Sequence, residues 1–194
     1  MTDHDPDRPG PTSDRTTDPP SDREPEGASG LTHLDSEGRP RMVDVADKDV
    51  TSREAVAVGR IRMSAEALDA ILRGRTEKGD VLKVAELAGI MAGKRTGEII
   101  PLCHLLPAVS LTVELEPDSE LPGVSCRASA RIAGQTGVEM EALTAATTAL
   151  LTVYDMVKSL DRGMRIEGVE LVRKSGGRSG TWTAGEGAGE DRGE

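Results

Sequence analysis

Apolar and polar residues alternate in four short stretches of this chain and follow a helical period in three others. Residues 54–63, EAVAVGRIRM, alternate well enough to predict a strand with one buried face. Ser64 then opens SAEALDAILRG as an N-cap, with Leu68, Ile71 and Leu72 on one side of a short helix and Gly74 ending it. Asp80 caps a second helix in which Val81, Val84, Ala85, Ala88 and Met91 recur at helical spacing, and Pro101 closes anything helical before it.

Two further alternating runs, 108–116 and 124–132, are joined by PDSELPG and predict an antiparallel hairpin with a longish loop. Cys126 falls in phase with Val124, Ala128 and Ile132, which makes it a core position. Residues 138–161 carry the longest helical pattern. From Ala142 to Val157 it is apolar or small on every side, the mark of a central helix buried all round. Residues 165–174 form a last strand. The order β-α-α-β-β-α-β predicts an α+β fold: a mostly antiparallel sheet with helices packed on one face, a ferredoxin-like α/β sandwich.

Composition changes the picture mainly at the ends. Of the formal charge of −10, residues 1–29 carry −5 and residues 184–194 carry −3, leaving −2 for 30–183. The acidity therefore belongs to the tails, and an anion-binding site in the middle is not excluded. Residues 1–29 hold six of the eleven prolines and almost nothing apolar, so they are expected to be disordered, as are residues 184–194. The stretch 30–183 is the expected domain. No apolar stretch follows a basic start as in a secretory leader, and none reaches the length of a membrane span. Two cysteines, 103 and 126, point to reduced thiols and a cytoplasmic protein. With no Phe, one Tyr and one Trp, the stacking platforms of a nucleic-acid binder are missing.

Candidate chemistry is concentrated in a few places. Four of the six lysines stand beside turns or special local contexts: KGD (Lys78), GKRT (Lys94), YDMVK (Lys158) and KSGGRSG (Lys174). In the last of these, two glycines between a lysine and an arginine can turn backbone N–H groups and two cations on one oxyanion; a flexible exit from the domain is the plainer alternative. GIMAGKRT misses the phosphate-loop spacing. Asp155 and Lys158 share one face of the long helix, either as an ion pair tethering its end or as a buried acid and lysine set for proton transfer. Thr136-Gly-Val-Glu139 fits a capping box, whereas Glu141 has no such role. In IIPLCHLLP, Cys103 and His104 are adjacent and lack any companion at metal-ligand spacing, so neither a metal nor a nucleophilic dyad is expected there. His104 is left as a hydrogen-bonding or proton-transfer group.

Taken together, LTHLDSEGRPRMVDV, KGDVL, AGIMAGKRT, IIPLCHLL, TGVEMEALTAA, LLTVYDMVKSLD and KSGGRSG resemble the MoaC family, the cyclic pyranopterin monophosphate synthases of molybdenum-cofactor biosynthesis. The likeness runs in unbroken order over about residues 31–182. One departure is Leu105, where the family often has Pro directly after the Cys-His. The resemblance implies a lyase that rearranges a cyclised dihydro-GTP, the product of a radical GTP-cyclising enzyme, and releases diphosphate. It implies no cofactor, no metal, and a homohexamer built as a trimer of dimers with active sites at subunit interfaces. It places the catalytic acid on Asp155 with Lys158 beside it. Substrate contacts fall on Leu102, Cys103 and His104, on Glu139, Met140 and Glu141, and on the phosphate-binding Lys78 and Lys174. Two other readings remain: a zinc-dependent nucleotide hydrolase using His33, Cys103 and His104, and a non-catalytic nucleotide-binding module in which Asp155–Lys158 is structural.

Overall fold

The computed structural model describes residues 48–76, 79–120 and 122–185, with Arg39, Met42 and Val45 ahead of them. The elements run β1 (Thr51–Arg62), α1 (Ala65–Leu72), α2 (Val81–Gly93), α3 (Thr96–Ile99), β2 (Ser110–Asp118), β3 (Gly123–Gly134), α4 (Glu139–Val157), β4 (Arg165–Ser175) and β5 (Trp182–Thr183). The strands form one antiparallel sheet in the order β2-β3-β1-β4-β5. The βααββαβ order read from the pattern is the observed one, with the single turn α3 and the two-residue β5 added. Both additions are too short to leave a periodic signal.

One face of the sheet is built for close approach. Ala55, Ala57 and Ile61 of β1 and Val124, Cys126, Ala128 and Ala130 of β3 are buried beneath the helices. Gly59 lies in the same phase of β1. A Cβ there would stand 2.9 Å from Leu150 Cδ1 and 3.0 Å from Val169 Cγ2, so a larger residue would push these side chains aside where α4 now settles low on the sheet. On α4 the inward positions are Ala142, Ala145, Ala146 and Ala149, all fully buried. α2 meets them with Gly89 and Gly93, where a Cβ would come within 2.8 Å of the Ala145 carbonyl and 3.0 Å of the Glu141 carbonyl. In a chain without Phe, the core gains its density from backbones drawn together over small side chains rather than from large rings.

The caps predicted for the first two helices form: Ser64 Oγ accepts from Ala67 N–H at 3.2 Å and Asp80 Oδ1 from Lys83 N–H at 3.1 Å. Two expectations need correction. The hairpin connection is short, because β2 runs through Pro117 to Asp118 and β3 begins at Gly123. And α4 is not buried all round: Met140, Thr147, Leu151 and Asp155 form an exposed stripe along it, with Leu151 56 % exposed. The helix lies on the sheet with α2 and α3 at its side, so among the described residues its outward face is the one left exposed.

Candidate active site

The first turn of α4 gathers groups from three other parts of the fold. β3 ends at Gly134, and residues 135–138 turn the chain into the helix with Val138 as its N-cap. The capping box expected from Thr136 and Glu139 does not form, since this helix has no side-chain cap. Glu139 instead accepts a hydrogen bond from Lys174 Nζ of β4 at 3.1 Å, both side chains being about one-third exposed. A charge-assisted bond to a lysine outweighs a bond to one backbone amide. The carboxylate lies over Gly137, where a Cβ would overlap it.

Two residues on, Glu141 is only 2 % exposed. Its Oε1 faces Cys103 Sγ, the donor, at 3.8 Å; its Oε2 has no hydrogen-bond partner among the described residues. Burial raises the Glu141 carboxyl above the usual carboxylate range, opposed in part by bonds from backbone and from Cys103. Glu141 is also one of the residues around a cavity of about 240 Å³, with Gly93, Lys94, Thr96, Gly97 and Leu105. The Cys103 thiol is pushed up to about 11, first by burial and then by the Glu141 charge. A thiol so far from ionisation is a poor nucleophile. Cys126 sits in the core with its thiol pushed up to about 12 by burial alone, as its phase in β3 implies.

Cys103 and His104 reach this place on the loop between α3 and β2. A turn bond from Cys103 N–H to the Ile100 carbonyl, 3.1 Å, starts that loop, and Leu102, Cys103 and His104 are all half-buried along it. Leu105, the residue in place of Pro, is 72 % exposed and leans on Gly97, whose Cβ would lie 2.8 Å from Leu105 Cδ2. Met140 is exposed between the two glutamates.

Asp155 and Lys158 stand at the other end of the same helix. Lys158 Nζ donates to Asp155 Oδ1 at 2.6 Å, with side chains 53 % and 56 % exposed. Their expected burial is not observed, because both lie on the outward stripe. Fourteen residues at about 1.5 Å each put Asp155 about 21 Å along the axis from Glu141. One chain thus brings together Leu102–His104, Glu139–Glu141 and Lys174, and holds Asp155 and Lys158 apart. Lys78 and His33 lie outside the described residues.

The KSGGRSG segment turns as its glycines allow, with φ of 96° at Gly176 and 72° at Gly177. Lys174 points to Glu139 while Arg178 is exposed, so the two cations do not share a partner here. The cation that does lie in the turn is Arg53 of β1, which the sequence reading passed over. Its Nε donates to Gly134 O at 3.3 Å and its Nη2 to Gln135 O at 3.1 Å. A Cβ on Gly177 would fall on Arg53 Nη1. No local signal singles Arg53 out, because its partners are more than eighty positions away.

Residues 42–177 match the MoaC family. The chain belongs to the MoaC family. Its relatives in that family include a protein named cyclic pyranopterin monophosphate synthase from Cereibacter sphaeroides (strain KD131), 57 % identical over 156 residues, which covers 80 % of this chain and 98 % of the relative. The protein of that name from Dinoroseobacter shibae is 54 % identical over 156 residues, 80 % of this chain and 99 % of its own. The one from Brucella ovis is 56 % identical over 152 residues, 78 % of this chain and 92 % of its own. The MoaC match spans every side chain of both groups described above. Among the described residues, no helix is long and apolar enough to cross a membrane.

Proposed function

We propose that this MoaC-family chain is a cyclic pyranopterin monophosphate synthase, a lyase of molybdenum-cofactor biosynthesis. It converts a 3′,8-cyclised dihydro-GTP, supplied in the cytoplasm by a radical GTP-cyclising enzyme, to cyclic pyranopterin monophosphate and diphosphate. Sequence identity above 50 % over nearly the whole length of proteins bearing that name supports the activity. Closing the cyclic phosphate requires a sugar hydroxyl to attack the α-phosphorus while the bond to diphosphate breaks. The hydroxyl proton needs an acceptor, and the leaving diphosphate needs cations. Asp155 is the proton-transfer group, with Lys158 2.6 Å away, and Lys174 and Lys78 bind phosphates. Leu102, Cys103 and His104 line the base and sugar together with Glu139, Met140 and Glu141.

The observation that shapes the mechanism is the spacing of the two groups along α4. A span of about 21 Å is about twice the length of a joined base and ribose, judged by ordinary covalent dimensions. One substrate reaches both groups when two subunits pack antiparallel through the exposed stripe Met140, Thr147, Leu151 and Asp155. The first turn of one α4 then faces the last turn of the other. Each end carries a carboxylate–lysine pair, Glu139–Lys174 or Asp155–Lys158, so opposite charges can meet across a two-fold axis. Such dimers, three to a homohexamer, hold their active sites at interfaces.

Mixing inactive Glu141→Ala with inactive Asp155→Asn subunits tests this directly. Hybrid oligomers contain interfaces with both wild-type residues, so diphosphate release from the cyclised substrate should return in part. No recovery in a mixture proven to contain hybrids would place the whole site within one chain.

A further inference from the structure

The substrate-binding end of α4 depends on two pieces of backbone that nothing in the helix itself holds together. The connector 134–138 delivers Glu139 and Glu141, and the turn after β4 delivers Lys174. Arg53 lies between them. Its side chain leaves β1, bonds the carbonyls of Gly134 and Gln135, and rests in the space that Gly177 leaves by having no side chain. Gly176 is equally constrained, since a Cβ there would overlap the Ser52 carbonyl and stand 3.2 Å from Arg53 Cδ. Two successive residues with positive φ, the first blocked by the Ser52 carbonyl and the second occupied by the Arg53 side chain, are a costly arrangement for a flexible exit from a domain. They form a seat for one guanidinium. That guanidinium is half-buried, bonded to the end of β3 and packed on the turn after β4, with the Glu139–Lys174 bond only a few residues beyond on either side.

We propose that Arg53 is a positioning residue that sets the Glu139–Lys174 pair, and through it the placement of the substrate's phosphates. This rests on Lys174 being a substrate-binding residue, as proposed above. Arg53 acts through the pair rather than on the substrate: its Nε and Nη2 donate to main-chain carbonyls, and its Nη1 lies against Gly177. The planar fork suits it to bridge two consecutive carbonyls while lying flat on glycine backbone, and a lysine ammonium can reach one of them at most.

The test is a double-mutant cycle on the full chain, with diphosphate release from cyclised GTP as the rate and quenching of Trp182, the only tryptophan and the cross-strand partner of Lys174, as the binding readout. Arg53→Gln should lower kcat/KM about tenfold to thirtyfold, mostly by raising KM, with Arg53→Lys in between and Gly177→Ala matching Arg53→Gln. In a Lys174→Ala background, Arg53→Gln should change kcat/KM less than about twofold, because the pair it sets is already gone. Amide exchange over residues 134–138 and 174–178 should rise together in Arg53→Gln and stay unchanged over α2. Full additivity of the two substitutions, or a loss of melting temperature with kcat/KM per folded enzyme unchanged, would overturn the positioning role. If Lys174→Ala itself leaves binding and rate intact, the phosphate-binding reading falls and the proposal with it; an effective Lys174→Ala with a silent Arg53→Gln removes this proposal alone.

Discussion

The two ends of α4 carry the same kinds of groups and treat them in opposite ways. At the first turn, Glu141 is enclosed by α2, the loop carrying Cys103 and its own helix, and its carboxyl is raised by burial. At the last turn, Asp155 pairs with a lysine one turn away, both side chains about half exposed. A carboxylate on a long, mostly apolar helix is thus not one chemical object. The difference comes from which flank of the helix rests on another element, and it separates a carboxyl that burial makes harder to ionise from one held in a half-exposed ion pair with Lys158. In the proposed dimer, the second end is completed by the first end of a neighbour.

The largest effect expected is at the exposed end. Asp155→Asn should reduce kcat at least about a hundredfold, the usual scale for a lost proton-transfer group, with a melting temperature within about 2 °C of wild type, because an exposed ion pair contributes under about 1 kcal/mol. Retention of more than about a tenth of the rate would remove it from the proton-transfer role.

Cys103 sharpens the enclosed end. With its thiol at about 11 against an ordinary 9.0, it should react with iodoacetamide about a hundredfold more slowly at pH 8 than a free thiol. Alkylation at the ordinary rate would show that the Cys103–Glu141 contact is not kept in solution.

Glu141 makes the comparison depend on pH. A carboxyl whose pKa is raised on folding binds its proton more tightly in the native state, so stability falls as pH rises from the unfolded carboxylate pKa, about 4.3, through the folded one. Glu141→Gln removes that loss. Thermal melts should show the variant gaining on wild type as pH rises through this window and holding its advantage above it, with no gain below. Parallel melting curves across the window would mean that Glu141 is not buried as an acid.

The smallest effect compares the two lysines. Lys158→Met should shift stability by less than about 1 kcal/mol, and Lys174→Met by about 1 kcal/mol more, since it strands a carboxylate that is two-thirds buried. Equal shifts in chemical denaturation would mean that the ends are energetically alike.

Much of this was legible along the chain. Alternation in EAVAVGRIRM and the runs around Val113 and Ala128 placed the strands to within a few residues. Ser64 and Asp80 marked helix starts, and the phase of Cys126 put it in the core. These features are local: a strand's period or a cap depends on neighbours in sequence, so the residues themselves carry the information. Motif order carried the MoaC resemblance in the same way.

Environment was not legible. An all-apolar helix pattern predicted burial on every side, yet only contact with the sheet and α2 decides which flank is covered, and that left Asp155 and Lys158 outside. The capping box at Thr136 was sound chemistry that lost to a stronger partner, Lys174, 35 residues away. Arg53 is an ordinary arginine in an alternating strand until β3 and β4 bring Gly134, Gln135 and Gly177 around it. Periodicity and caps report how a residue relates to its neighbours in the chain. Desolvation, pairing and a glycine seat depend on distances across it, and those exist only once the sheet has set its register.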